Sequence, residues 1–218
     1  MSLIVFDLMG TVVDLRPLGR RLSDAGAPET ALEAWFERTL HHAACVTLAG
    51  EFAPFADLAR AALETTLVSA GVDPSSAGDI MQPLASGSLP AYPEAATALR
   101  GVRAAGGSVG VLTNGSAEQT EMQLRSADLE ALVDHVWSVE EASAYKPHPS
   151  AYGLVGKLAE GRPPVLVAAH AWDVFGARAA GWDAVWVRRA PAPWPFPGEA
   201  SPTAADLETA VGIALANT

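Results

Sequence analysis

From Ser108 onward the chain alternates short apolar runs with longer helical patterns, and no other feature restricts its fold so tightly. The runs are SVGVLT, HVWSV, PVLVAAH and AVWVRR; between them lie SAEQTEMQLRSADLEALV, PSAYGLVGKLAE and DVFGARAAG. Strand-length runs separated by helices predict βαβ units, hence parallel strands in a sheet with helices on both faces. With LIVFD as the first strand, the pattern predicts five strands. The expected fold class is therefore α/β, a Rossmann-like, doubly wound and mainly parallel five-stranded sheet.

The stretch between LIVFD and Ser108 follows a different rule. From about Leu15 to Ala85 it offers helical patterns, such as PETALEAWFERTLHHAACVTLA and PFADLARAALETTLVSAG, with no strand between them. An insertion of that length is too long for a simple crossover and predicts a helical cap over the sheet. The expected division is a core of residues 1–14 and 89–218 and a cap of residues 15–88. LASGSLPAYPEA reads as the returning hinge, followed by a helix from Glu94 to Ala105 that stops at Gly106-Gly107. RRAPAPWPFPGEASP, rich in proline, predicts an extended surface segment before a last helix from Ala204 to Ala216, capped by Thr203. At 218 residues one principal domain with an insertion is the natural count.

Composition excludes several classes of partner. Fourteen Lys and Arg against 25 Asp and Glu give a formal net charge of −11, which repels nucleic acid and anionic membranes. A small anionic substrate then needs a locally basic pocket. The single Cys45 rules out an internal disulfide framework, fits a reducing compartment and reads as a small apolar filler on a helix. No secretory signal is visible ahead of SLIVF, and no apolar stretch approaches the ~18 residues of a membrane span. A cytoplasmic protein is expected.

In open α/β sheets ligands bind beyond the carboxyl ends of the strands, near the point where strand order reverses. The polar residues that end each run are therefore the candidates. The first run ends in Asp7, with Gly10 and Thr11 in the turn; the second ends in Thr113, Asn114, Gly115 and Ser116. EEASAYKPHPSAY follows the third and supplies Lys146 and Tyr152; AAHAWD closes the fourth and supplies His170 and Asp173. His41, His42, His135 and His148 have no metal-ligand spacing and read as surface or packing residues. The Arg188-Arg189 pair reads as a cap on a strand end, with anion binding as the lesser alternative.

Taken together, VFDLMGT, VLTNGS, YKPHPSAY and HAWDVFGARAAGW resemble, in order and spacing, the four motifs of the haloacid dehalogenase superfamily. AWDVFGARAAGWDAVWVRR and KPHPSAY are most similar to its type II L-2-haloacid dehalogenase branch, whose members carry a helical cap after the first motif. The resemblance implies a hydrolase in which Asp7 displaces halide from a small (S)-2-haloacid, forming an ester that water cleaves to a 2-hydroxy acid. It also implies that Lys146 holds Asp7 ionised, that Asp173 orients Lys146 or the water, and that Tyr152 belongs to the polar wall around the lysine. Thr11, Thr113 and Asn114 would cradle the substrate carboxylate or the ester oxyanion. Homodimers are frequent in the family.

Met9 stands where superfamily phosphatases place the acid that protonates the leaving alcohol and helps build a magnesium site. A thioether is a poor ligand for so hard a cation. Ala169-His170 likewise replaces the Gly-Asp pair expected of phosphatases. The expectation is catalysis without a metal or other cofactor. Three positions depart from the branch: Phe36 in place of a halide-binding arginine, Ala168 in place of serine, and His170 in place of asparagine. Arg38 lies some two hundred degrees from Phe36 around an ideal helix and is poorly placed to substitute. An imidazole at His170 has two readings, general base for the water or simple replacement of the amide as a donor. Two alternatives stay open: a related hydrolase, such as a phosphatase, acting on another electrophile, and a degenerate protein that only binds small carboxylates.

Overall fold

A computed structural model describes residues 2–156 and 163–216. Its sheet consists of β1 (Leu3–Phe6), β2 (Ser108–Thr113), β3 (His135–Ser138), β4 (Val165–Ala168), β5 (Asp183–Val187) and β6 (Thr203–Ala204), in the order β3-β2-β1-β4-β5-β6. Every pairing is parallel. The sheet thus has six strands among the described residues, not the expected five. The sixth is two residues long and follows a proline-rich stretch, too short to show alternation. It forms because Trp186 N donates to Pro202 O and Arg188 N to Ala204 O.

The apolar runs are buried on both faces, and their alternate residues feed two separate layers. Ile4, Phe6, Val109, Val111, Val165, Val167, Val185 and Val187 face one side. There they meet α5 (Ala95–Ala104) and α9 (Leu207–Ala216) through Leu99, Val102, Leu207 and Val211. Val5, Leu112, Leu166, Ala168 and Trp186 face the other, against Tyr152, Val155, Val174 and Ala177 of the α7 (Pro149–Gly153) and α8 (Ala171–Ala179) region. Gly110 lies on that second face under Trp137, whose ring occupies the space a side chain would need. The last helix begins at Leu207 rather than Ala204, since Thr203 and Ala204 are taken into β6; its first turn is capped by the Asp206 carboxylate, which accepts from Thr209 N at 2.8 Å. Of the helix expected over PSAYGLVGKLAE, only Pro149–Gly153 is helical (α7) among the described residues, and Leu154 to Gly156 form a turn; its last four residues, 157–160, lie outside the described residues.

Between β1 and β2 the chain forms α1 (Arg16–Asp24), α2 (Ala31–Leu48), α3 (Phe55–Ser69) and α4 (Ala77–Ala85), with no strand. α2 and α3 pack through Trp35, Ala59 and Leu63, and Trp35 Nε1 donates to Ala59 O at 2.8 Å. Cys45 lies on α2 as expected, but on its exposed face, with Sγ 3.5 Å from His41 Nε2, so it fills no core space. The two ends of the insertion run side by side. Asp14 N donates to Pro90 O, Tyr92 N donates to Val12 O, and Val13 pairs with Ala91. The returning segment is tied to α6 (Ala117–Ser126), where Gln119 Nε2 donates to Leu84 O at 2.8 Å and Gln123 Nε2 to Leu89 O at 2.6 Å. No helix among the described residues is long and apolar enough to cross a membrane.

Candidate active site

β1 lies where the strand order reverses, with β2 on one side and β4 on the other. Asp7 continues it by one residue, its N–H donating to Val167 O at 3.1 Å. The chain then folds back on itself: Thr11 N, Val12 N and Val13 N all point to Leu8 O. Gly10 allows this with φ +78°, and a β-carbon there would stand 3.0 Å from the His170 ring. The turn brings Thr11 beneath the carboxylate. Its hydroxyl donates to Asp7 Oδ2 at 2.7 Å and accepts from Ala169 N at 2.9 Å. Thr11 is fully buried, and the same hydroxyl that holds Asp7 joins the β1 and β4 tips.

Lys146 reaches the other carboxylate oxygen. Its ammonium donates to Asp7 Oδ1 at 2.8 Å, Asp173 Oδ2 at 2.7 Å and Leu112 O at 2.9 Å, so all three protons are used. Its backbone N–H is fixed by Asn114 Oδ1 at 3.0 Å. Tyr152 OH donates to Asp173 Oδ1 at 2.7 Å. Gly176 of α8 is what lets this loop approach so closely, since Pro147 and the Tyr152 hydroxyl fill the space of its absent side chain.

The charges sort themselves accordingly. Burial by itself pushes the Asp7 carboxyl up, but the Lys146 ammonium and then the hydrogen bond from His170 oppose it and hold it well below the usual carboxylate range. Burial pulls Lys146 down, and the charges of Asp173 and Asp7 more than restore it. Asp173 is raised, chiefly by burial, while its two oxygens accept from Tyr152 and Lys146. An ionised Asp7 only accepts hydrogen bonds, so the 3.0 Å contact between its Oδ2 and His170 Nδ1 places a proton on that nitrogen.

In front of Asp7 lies a cavity of about 70 Å³ between the helical insertion and the strand tips. Each enclosed water needs ~10–15 Å³, so the space suits a small organic molecule rather than a polymer. Met9, Phe36, Thr113, Asn114 and His170 line it together with Asp7. The His170 ring stacks between Phe36, 5.0 Å away, and Trp172, 5.5 Å away. Thr11, Lys146, Tyr152 and Asp173 do not line the cavity; they sit behind Asp7, and the Thr11 hydroxyl is spent on the carboxylate rather than free for a ligand. Phe55 and Trp172 complete the aromatic part of the wall; sequence patterns did not single out Met81 and Leu84 of the insertion, nor Gln119 and Thr120. No three His, Cys, Asp or Glu side chains among the described residues are placed to share a metal ion.

Residues 1–181 match the family model described as haloacid dehalogenase-like hydrolase. The chain belongs to that family. This haloacid dehalogenase-like hydrolase is 32% identical to (S)-2-haloacid dehalogenase 1 of Pseudomonas sp. (strain CBS-3), over 85% of its own length and 83% of that protein. It is 31% identical to haloacetate dehalogenase H-2 of Moraxella sp. (strain B), over 85% of each chain. The L-2-haloacid dehalogenase of Xanthobacter autotrophicus with chloropropionic acid covalently bound superposes with a TM-score of 0.86, at 25% identity and 98% coverage of both chains. The departures of this hydrolase from the branch pattern take shape in the cavity. Phe36 gives the wall an aromatic face where a cation was expected, and Arg38 does not line it; its Nε is buried with no hydrogen-bond partner. Ala168 is fully buried at the end of β4.

Proposed function

We propose that this hydrolase displaces halide from a small (S)-2-haloacid through an ester on Asp7, without a metal. The observation that carries the reading is a buried, ionised Asp7 at the floor of a small apolar cavity, with Met9 rather than an acid beside it. A carboxylate oxygen of Asp7 attacks C2, the carbon–halogen bond breaks, and halide leaves with the electron pair, needing no proton. Water then adds to the Asp7 carbonyl carbon, the alkoxide departs and takes up a proton, and one water oxygen remains in Asp7. The product is a 2-hydroxy acid of inverted configuration. The names of the relatives support this substrate class.

Lys146, held by Asp173, which Tyr152 in turn fixes, keeps the nucleophile ionised and oriented. Thr113 and Asn114 are the polar groups of the wall for the substrate carboxylate. In the free enzyme His170 Nδ1 donates to Asp7; once the ester has removed that charge, the other tautomer turns the same nitrogen into an acceptor for the attacking water. Residues 15–88 act as the cap that closes the site, and we place the enzyme in the cytoplasm, in keeping with one unpaired cysteine; a homodimer follows family habit.

The test is halide release from (S)- and (R)-2-chloropropionate and fluoroacetate, with and without EDTA. Turnover of the (S)-acid that survives chelation supports the reading, and loss on chelation sinks the metal-free part. Magnesium-dependent phosphate release from aryl phosphates, abolished in Asp7→Asn, would favour the phosphatase alternative. Tight binding of a small carboxylate with no halide release from any substrate would favour the binding protein. In His170→Ala a mass spectrum should show the Asp7 ester accumulating; unchanged turnover refutes the base.

A further inference from the structure

We propose that Arg189, beyond the end of β5, is a positioning residue that sets the nucleophile through Thr11. The proposal rests on the reading of Asp7 as nucleophile. Arg189 Nη2 donates to Thr11 O at 2.7 Å, its Nη1 donates to Glu94 Oε1 at 2.9 Å, and its guanidinium lies 3.3 Å from the centre of the Tyr92 ring. These partners come from different parts of the chain. Thr11 belongs to the nucleophile turn, Tyr92 to the segment returning from the insertion, and Glu94 to the N-terminal end of α5.

The turn that carries Thr11 has few other anchors. Its own hydrogen bonds run within residues 8–13 or, at Val12 O, to Tyr92. The Thr11 side chain must keep two distances at once, 2.7 Å to Asp7 Oδ2 and 2.9 Å to Ala169 N. A planar guanidinium that clamps the Thr11 carbonyl, while anchored on Glu94 and stacked on Tyr92, fixes the backbone from which that side chain hangs. Arg189 does not line the cavity, so it acts on the reaction only through the turn.

The decisive variant is Arg189→Lys, which keeps the charge beside Glu94 but loses the planar fork. It should lower kcat for halide release by about tenfold to a hundredfold, the cost of a small misplacement of a reacting group, with KM little changed. In a Thr11→Val background the same substitution should add no further loss. Fully additive losses, or an unchanged kcat, would overturn the proposal.

A substrate-free measurement separates this from the proposed function. The Ala169 amide has the Thr11 hydroxyl as its partner, so its hydrogen exchange reports where Thr11 sits. In Arg189→Lys that amide should exchange about tenfold faster or more, while strand amides such as Val167 and Val185 keep wild-type protection. If the wild-type enzyme releases no halide, the reading of Asp7 fails, and Ala169 exchange still decides the role of Arg189. Unchanged exchange at Ala169, or equal loosening at every strand amide, refutes it.

Discussion

At the scale of single residues, the site is one cation shared by two carboxylates. Lys146→Met removes the chief opponent of burial at Asp7, so the Asp7 pKa must rise. In the folded wild-type protein that pKa is depressed, so the carboxylate form persists well below the usual range, and its stabilising effect declines from the ordinary carboxylate pKa downward and is gone below the depressed one. In Lys146→Met the acid limb of kcat/KM should therefore move up by ~1–3 pH units, and activity at neutral pH should fall; an unmoved acid limb would show that Lys146 does not set the charge of Asp7. Asp7, Lys146, His170 and Asp173 were legible in the sequence because a parallel sheet delivers strand ends to one rim. The third acceptor of Lys146, the Leu112 carbonyl, carries no side-chain signal and had none to read. Thr11 was legible as a site residue but not in its direction, which depends on how the turn at Gly10 folds back.

Among the elements, the returning segment and α6 decide the shape of the cavity. Gly87 has φ +62°, and a β-carbon there would lie 3.0 Å from Gln123 N and 3.1 Å from the Met122 carbonyl carbon. Backbone atoms of a helix cannot step aside as a flexible side chain would. Gly87→Ala should cost about 1–3 kcal/mol, measured by urea unfolding, and should raise KM because Leu84 and Ala85 of the cavity wall move with it. A variant of wild-type stability would mean the segment shifts freely. Continuous apolar runs between helical patterns were enough to read β1 to β5, and the helical period, repeated over many residues, the long helices α2 and α3. β6 was not readable, being two residues set by pairing alone, and neither was the face that α3 and α4 turn toward the cavity, which is set by their packing on other helices.

Over the whole molecule, a charge of −11 surrounds a cavity whose wall, among the described residues, offers no lysine or arginine. An anionic substrate approaches against that field, which extends ~30 Å at 0.01 M salt and ~10 Å at 0.1 M. The kcat/KM for a 2-haloacid should therefore rise a few-fold across that salt range; a fall would reveal a local cationic funnel. The ends of the helical insertion suggest something about how such a molecule can be assembled. Val12 to Asp14 and Pro90 to Tyr92 are already joined by two backbone hydrogen bonds. Seen from the sheet, the chain leaves and returns at one point. A short flexible bridge from Asp14 to Pro90 would shorten that closed loop and cut its entropy cost. Another helical unit spliced at the same junction, provided it also covers the apolar face that Leu18, Leu22 and Leu84 cover, should remodel the cavity wall and leave Asp7, Lys146 and Asp173 on the strand ends that carry them.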